Sequence, residues 1–135
     1  MLAGREWFKN EGASEEAINS LMKFAPVPLP PSYLALLRYS NGGEGPLPVQ
    51  PWNLCLDTAE FAAETAQVGL QKEFFPDLFI IGTNGGGEAI ALNVAEPAPY
   101  PVVFYDLTNC NLEESVATLA PDFEAFLAIV GRSAD

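Results

Sequence analysis

Residues 78–94 read LFIIGTNGGGEAIALNV. Leu78 to Thr83 is an apolar run of strand length, Asn84-Gly85-Gly86-Gly87 is a turn, and Glu88 to Val94 alternates Ile90, Leu92 and Val94 against Ala89, Ala91 and Asn93. Apolar runs joined by a short Asn-Gly turn form a β-hairpin, because glycine supplies the positive φ that the turn needs. Downstream, the loop Ala95 to Tyr100 carries Pro97 and Pro99, and Pro101 to Asp106 is a further strand of the same sheet. Upstream, Trp52 to Leu56 reads as a strand and Asp57-Thr58 as the start of a helix through Ala59, Phe61, Ala62, Thr65, Ala66 and Val68 to Gly69.

Helices flank this sheet in the sequence. Ser14 is an N-cap, with Glu15 and Glu16 in the first turn where the helix dipole favours acids. Ile18, Leu21, Met22 and Ala25 recur at helical spacing and define an amphipathic helix from Ser14 to Phe24. Pro26, Pro28, Pro30 and Pro31 make a stiff connector, and Pro31 suits the first turn of a second helix carrying Tyr33, Leu34, Leu36, Leu37 and Tyr39. Asn41-Gly42-Gly43 is read as its C-terminal stop, and Gly45 to Pro51 as irregular. Residues 1–13 predict at most one short helix folded back on the body, and Glu113 to Leu119 a helical turn. A last helix follows Pro121, with Phe123, Phe126, Leu127 and Val130 on one face, and closes at Gly131. The expected fold is α+β: a single domain over 1–135 with its core at about 14–130, mainly antiparallel sheet with helices packed around it.

Composition removes several functions. The chain has 135 residues and no histidine, so Ser-His-Asp and Cys-His catalysis and His-ligated zinc are excluded. Cys55 and Cys110 lack metal-ligand spacing and read as ordinary thiols. The clusters Asn41-Gly42-Gly43-Glu44-Gly45 and Asn84-Gly85-Gly86-Gly87-Glu88 have a glutamate where a phosphate loop needs a cation, so neither is a nucleotide site. No run approaches the roughly 20 apolar residues of a membrane span. The start lacks the long apolar stretch of a signal peptide, so the cytoplasm is the expected compartment.

Charge is the strongest functional signal. Eighteen acids face six bases, giving −12. Residues 1–38 balance, whereas residues 39–131 hold thirteen acids and the single base Lys72. Such a body repels nucleic acid and anionic lipid and attracts a basic protein. The carboxylates available for chemistry are Glu44, Asp57, Asp77, Glu88 and Asp106, of which Asp57, like Glu113 and Asp122, is better explained as a helix-start acid. Trp52, Tyr33, Tyr39, Tyr100 and Tyr105 can anchor an interface or line the core.

Taken in order, the segments resemble the SUKH superfamily, an immunity-protein superfamily that also holds fungal cell-wall regulators of the Smi/Knr type. The resemblance runs through Glu15-Glu16 with Ile18 and Leu21, Leu29-Pro30 before Tyr33, Leu36 and Leu37, Asn41-Gly42-Gly43, and Trp52. It continues through Phe75-Pro76-Asp77-Leu78, Ile80-Ile81-Gly82, Gly85-Gly86-Gly87-Glu88, Ala89-Ile90-Ala91-Leu92, and Ala120 with Phe123, Glu124, Phe126 and Leu127. It implies a Smi/Knr-like domain with no catalytic residues, no cofactor and no metal. In bacterial members it implies an immunity protein that binds and blocks a co-encoded toxin domain, often a nuclease. Nucleases are basic where they grip phosphates, which an acidic blocker complements. The expected partner contacts are Glu44, Trp52, Asp77, Glu88 and Asp106. Two other readings stand beside this one. One is a regulatory or scaffold module with no toxin; the other is a small glycan protein using Trp52 and carboxylates such as Glu88.

Overall fold

In a computed structural model of the chain, residues 1–67, 77–107 and 116–134 are described. Among them are four helices, α1 (Glu15–Phe24), α2 (Pro31–Tyr39), α3 (Ala59–Gln67) and α4 (Phe123–Leu127). The strands are β1 (Gly43–Pro46), β2 (Asn53–Leu56), β3 (Leu78–Thr83), β4 (Glu88–Asn93), β5 (Val102–Asp106) and β6 (Ala117–Ala120). They form one antiparallel sheet in sequence order, β1-β2-β3-β4-β5-β6. The expected α+β architecture is therefore present. Val68-Gly69, Phe75-Pro76, Cys110 and Glu113 lie outside the described residues.

The local signals act as their chemistry demands. Ser14 Oγ accepts from Ala17 N at 3.1 Å and starts α1, and Asp122 Oδ1 accepts from Ala125 N at 2.7 Å and starts α4. The α3 start differs from expectation. Thr58 Oγ1 accepts from Phe61 N at 3.0 Å, but the second cap is Asn41 Oδ1, which accepts from Ala59 N at 2.7 Å, and not Asp57. The cap comes from a residue eighteen positions away, beyond any local pattern.

The main core lies between the helices and one sheet face, where Leu54, Leu56, Phe79, Ile81, Ile90, Leu92 and Val102 meet Ile18, Leu21, Leu36, Leu37 and Phe126. Tyr33 sits at its centre with no exposed surface, edge-on to Phe79 at 6.2 Å and to Phe123 at 5.5 Å. Such aromatic pairs add roughly 0.5–1.5 kcal/mol each beyond area burial. Ala89, Ala91, Val103 and Tyr105 are buried on the opposite face. The Ile/Ala alternation in β4 thus separates a face of large side chains from one of small ones, with both buried. Met22 is half-exposed, outside the α1 core face.

Three expectations are corrected. Residues 1–13 form an extended arm, not a helix. Phe8 N donates to Glu44 O at 2.8 Å, Glu6 N to Gly131 O at 2.9 Å, and Ala13 N to Leu37 O at 2.8 Å. Gly45 and Pro46, expected in an irregular stretch from Gly45 to Pro51, belong to strand β1 (Gly43–Pro46), because the arm and β2 satisfy its backbone from both sides. Ala117–Ala120 is strand β6, paired with β5, where helix was expected from Glu113 to Leu119. Pairing with a neighbouring strand overrides the helix preference of alanine and leucine there.

The glycines after α2 do a different job from the expected helix stop. The helix ends at Ser40 in an extended conformation, φ −148°. A Cβ on Gly43 would lie 2.7 Å from Phe8 O and 2.8 Å from Trp7 Cζ2, and one on Gly45 would lie 2.5 Å from Glu6 O and 2.7 Å from Trp7 Cε3. Both glycines let the arm and the Trp7 ring lie flat on β1. The buried Ser40 hydroxyl fastens the arrangement: it accepts from Trp7 Nε1 at 3.2 Å and Asn10 N at 3.1 Å and donates to Gly42 O at 2.7 Å. Gly45→Ala is expected to lose about 1–3 kcal/mol through this overpacking, read as a lower urea midpoint at unchanged slope.

Asp57 and Tyr33 carry an electrostatic cost. Asp57 Oδ2 and the Tyr33 hydroxyl are buried without a hydrogen-bond partner. Burial pushes the Asp57 carboxyl up to about 6, and burial followed by the nearby Asp57 charge pushes the Tyr33 phenol up. Because the folded value lies above the unfolded one, the neutral acid is favoured in the native state. Stability from this group is intact below pH ~4 and is lost as pH rises through about 6. Asp57→Asn is expected to flatten that decline and to gain on the order of 1–2 kcal/mol at pH 7.5, after discounting for residual solvent, with no gain at pH 3.5. Urea unfolding across pH measures it.

Candidate functional site: an acidic, aromatic end of the sheet

The β3–β4 turn sets one end of the sheet. Asn84 Oδ1 accepts from Gly86 N at 2.9 Å and Glu88 N at 3.2 Å, Thr83 Oγ1 accepts from Gly85 N at 3.1 Å, and Gly85 adopts φ 85°. These bonds close the turn on itself, as asparagine and threonine do in tight loops. Asn84 Nδ2 also reaches Glu88 Oε1 at 3.3 Å. Register then places Asp106 directly across from Glu88, and Leu107 N donates to Gly87 O at 2.8 Å.

Strands β1 and β2 bring further groups to the same end. Glu44 stands opposite Cys55, and Cys55 opposite Thr83. Residues directly opposite in an antiparallel pair share a face. Asn53 links the elements: its Nδ2 donates to Glu44 Oε2 at 3.0 Å and to Asn84 O at 3.2 Å, with Cys55 Sγ at 3.5 Å. Trp52, just before it, holds φ 74° and is 54% exposed. Its carbonyl accepts from Leu47 N at 3.0 Å and its N–H donates to Val49 O at 2.8 Å, so a hydrogen-bonded turn holds the left-handed backbone.

Of the five expected contacts, Glu44, Trp52, Glu88 and Asp106 lie at this end of the sheet, with Glu44 in register with Ala89 on one face and the Glu88–Asp106 pair on the other. Asp77 does not. It precedes β3 and accepts through its carbonyl from Val94 N at 2.9 Å, at the other end of a strand about 17–20 Å long. One residue was missed. Phe8 is 80% exposed and bridges to Glu44, which puts its ring on the Glu44 side of the edge. The signal was the pair Trp7-Phe8: in an extended segment neighbours point to opposite sides, so a Trp7 packed half-buried on the body leaves Phe8 outside. Tyr33, Tyr100 and Tyr105 are buried, and Tyr39 lies half-buried beneath Lys9 Nζ, 4.9 Å from the ring centroid.

Burial, then the Glu44 charge and hydrogen bond, push the Cys55 thiol up, which keeps it protonated at neutral pH. No three His, Cys, Asp or Glu among the described residues are grouped so as to hold a metal ion. No described helix is long and apolar enough to cross a membrane. What the site offers is carboxylates fixed by neutral amides beside two exposed aromatic rings. In a Cys110→Ser background, Cys55 is expected to alkylate several-fold more slowly than free cysteine at pH 8, and Glu44→Gln to speed it up, with iodoacetamide kinetics as the readout.

The model of the SMI1 / KNR4 family (SUKH-1) matches residues 12–129, from just before α1 to just past α4. No curated protein is similar enough to match. A match over this span, on a chain whose helices and antiparallel sheet follow the expected order, makes the protein a member of the SMI1/KNR4 (SUKH-1) family.

Proposed function

We propose that this protein is a cytoplasmic immunity protein that binds a co-encoded basic toxin domain and neutralises it by occlusion, without a catalytic step of its own. The observation that carries this reading is the −12 charge held by residues 39–131, together with Glu44, held by Asn53 and bridged by the exposed Phe8 next to the exposed Trp52 turn. An acidic surface speeds encounter with a basic one, and exposed aromatics supply the desolvated anchors that hold it. Family membership supports a protein partner, since the bacterial side of this superfamily is the immunity type that the sequence resembles. A nuclease is the toxin class best matched, because its phosphate-binding groove presents the complementary charge.

Co-expression tests the reading. The C-terminal domain encoded by the adjacent gene is expressed in a sensitive host with and without this protein. Protection is the expected result. Trp52→Ala and the charge reversal Glu44→Lys are each expected to reduce it, with association slowing roughly tenfold or more between low and high salt for the native pair. A non-toxic neighbour, or killing that this protein does not prevent, would move the assignment to a regulatory or scaffold module.

A further inference from the structure

At the opposite end of the sheet lies a groove of about 660 Å³ between residues 28–32, the loop Ala98–Tyr100 and the first turn of α4, Asp122–Glu124. Its walls are mostly apolar, and its charged lining residues are both acidic, Asp122 and Glu124. We propose that it receives an extended basic segment of a protein partner, whose Arg or Lys lays its methylene stem along the proline walls and sets its cation against Glu124.

Three features of the groove carry this. The first is rigidity. Pro28, Pro30, Pro31 and Pro99 line it with fixed φ, and the Tyr100 hydroxyl donates to Pro28 O at 3.0 Å, tying one wall to the other. Phe123, in the floor, is held edge-on by Tyr33 at 5.5 Å and Phe126 at 5.7 Å. A preformed site avoids the ordering cost of binding. The second is amphipathic shape. An apolar trough with an acid at its edge matches a side chain that is apolar along its stem and cationic at its tip. Asp122 is committed to capping α4 through Ala125 N, whereas Glu124 is exposed and its carboxylate bonds to no other described residue, leaving it to meet an incoming cation. The third is long-range charge: the wall Ala98–Tyr100 and the Asp122–Glu124 turn belong to the segment 39–131 that holds thirteen acids and one base, while the facing wall, residues 28–32, carries no charge, so the groove draws in cations and turns away anions. A groove of this volume is in the ordinary range for a ligand site.

The inference holds for any basic protein partner, so it can fail while the toxin reading stands, or stand while that reading fails. The test is amide NMR on the labelled full-length chain. The probe is a blocked five-residue peptide with arginines flanking a leucine; its twin carries glutamates in place of the arginines. The arginine peptide is expected to shift the amides of Ser32, Tyr100, Phe123 and Glu124, and the glutamate twin to leave them in place. Glu124→Gln is expected to weaken binding about two- to fivefold, while the same charge change at Glu16 on α1 has no effect. Ala98→Trp, which fills the trough from an exposed position, is expected to weaken it about tenfold while the remaining spectrum stays native. Equal shifts from the glutamate twin, shifts centred on Asn84 to Glu88, unchanged binding in Ala98→Trp, or no shift with either peptide would each overturn the proposal.

Discussion

The Tyr33 ring joins the layers of this fold. It projects from α2, lies edge-on to Phe79 of β3 and to Phe123 of α4, and is fully buried. With α2 fixed there, the chain leaving it is fixed too: Ser40 holds the N-terminal arm, Asn41 caps α3, and Gly43 and Gly45 accept Trp7. The chain entering α2 is fixed as well, and its prolines become one wall of the groove. The same burial leaves the Tyr33 hydroxyl and an Asp57 oxygen without partners, and Asp57 responds by holding its proton more tightly. An apolar centre is thus obtained at an electrostatic cost that grows with pH.

The two candidate surfaces lie at the two ends of the sheet, for a reason set by its topology. An in-order antiparallel sheet places each hairpin turn at one end or the other, and here both faces of the central strands are buried. Side chains that must meet a partner are therefore left to turns, edges and strand ends. At the Asn84 end, amide side chains hold acids next to exposed aromatics. At the Asp77 end, prolines build a trough. Both are negative, because Lys and Arg are nearly absent from residues 39–131.

Much of this was legible from local patterns. Helical spacing located α1 and α2, and the Asn84-Gly85-Gly86-Gly87 turn located β3 and β4, since those signals rest on interactions within a few residues. Four of the five expected contact residues lie at one end of the sheet because they border its turns and strand ends. Asp77 lies at the opposite end because β3 runs between it and Asn84, and sequence proximity to a strand does not tell which end a residue borders. Phe8 was missed because its exposure depends on Trp7 packing, half-buried, against Gly43 and Gly45.

The sequence alone determined the α+β class, the absence of histidine chemistry, the concentration of negative charge and the ordered segments of the SMI1/KNR4 family. Those properties follow from composition and short-range periodicity. Tertiary structure decided the rest: that a GEGP segment becomes a strand, that the first thirteen residues run as an arm along it, and that Asn41 caps a distant helix. It also decided that two proline segments far apart in the chain enclose a groove. Each of these depends on a backbone group or side chain finding its partner across long sequence separation, and such pairings are selected by the packed whole rather than by local preference.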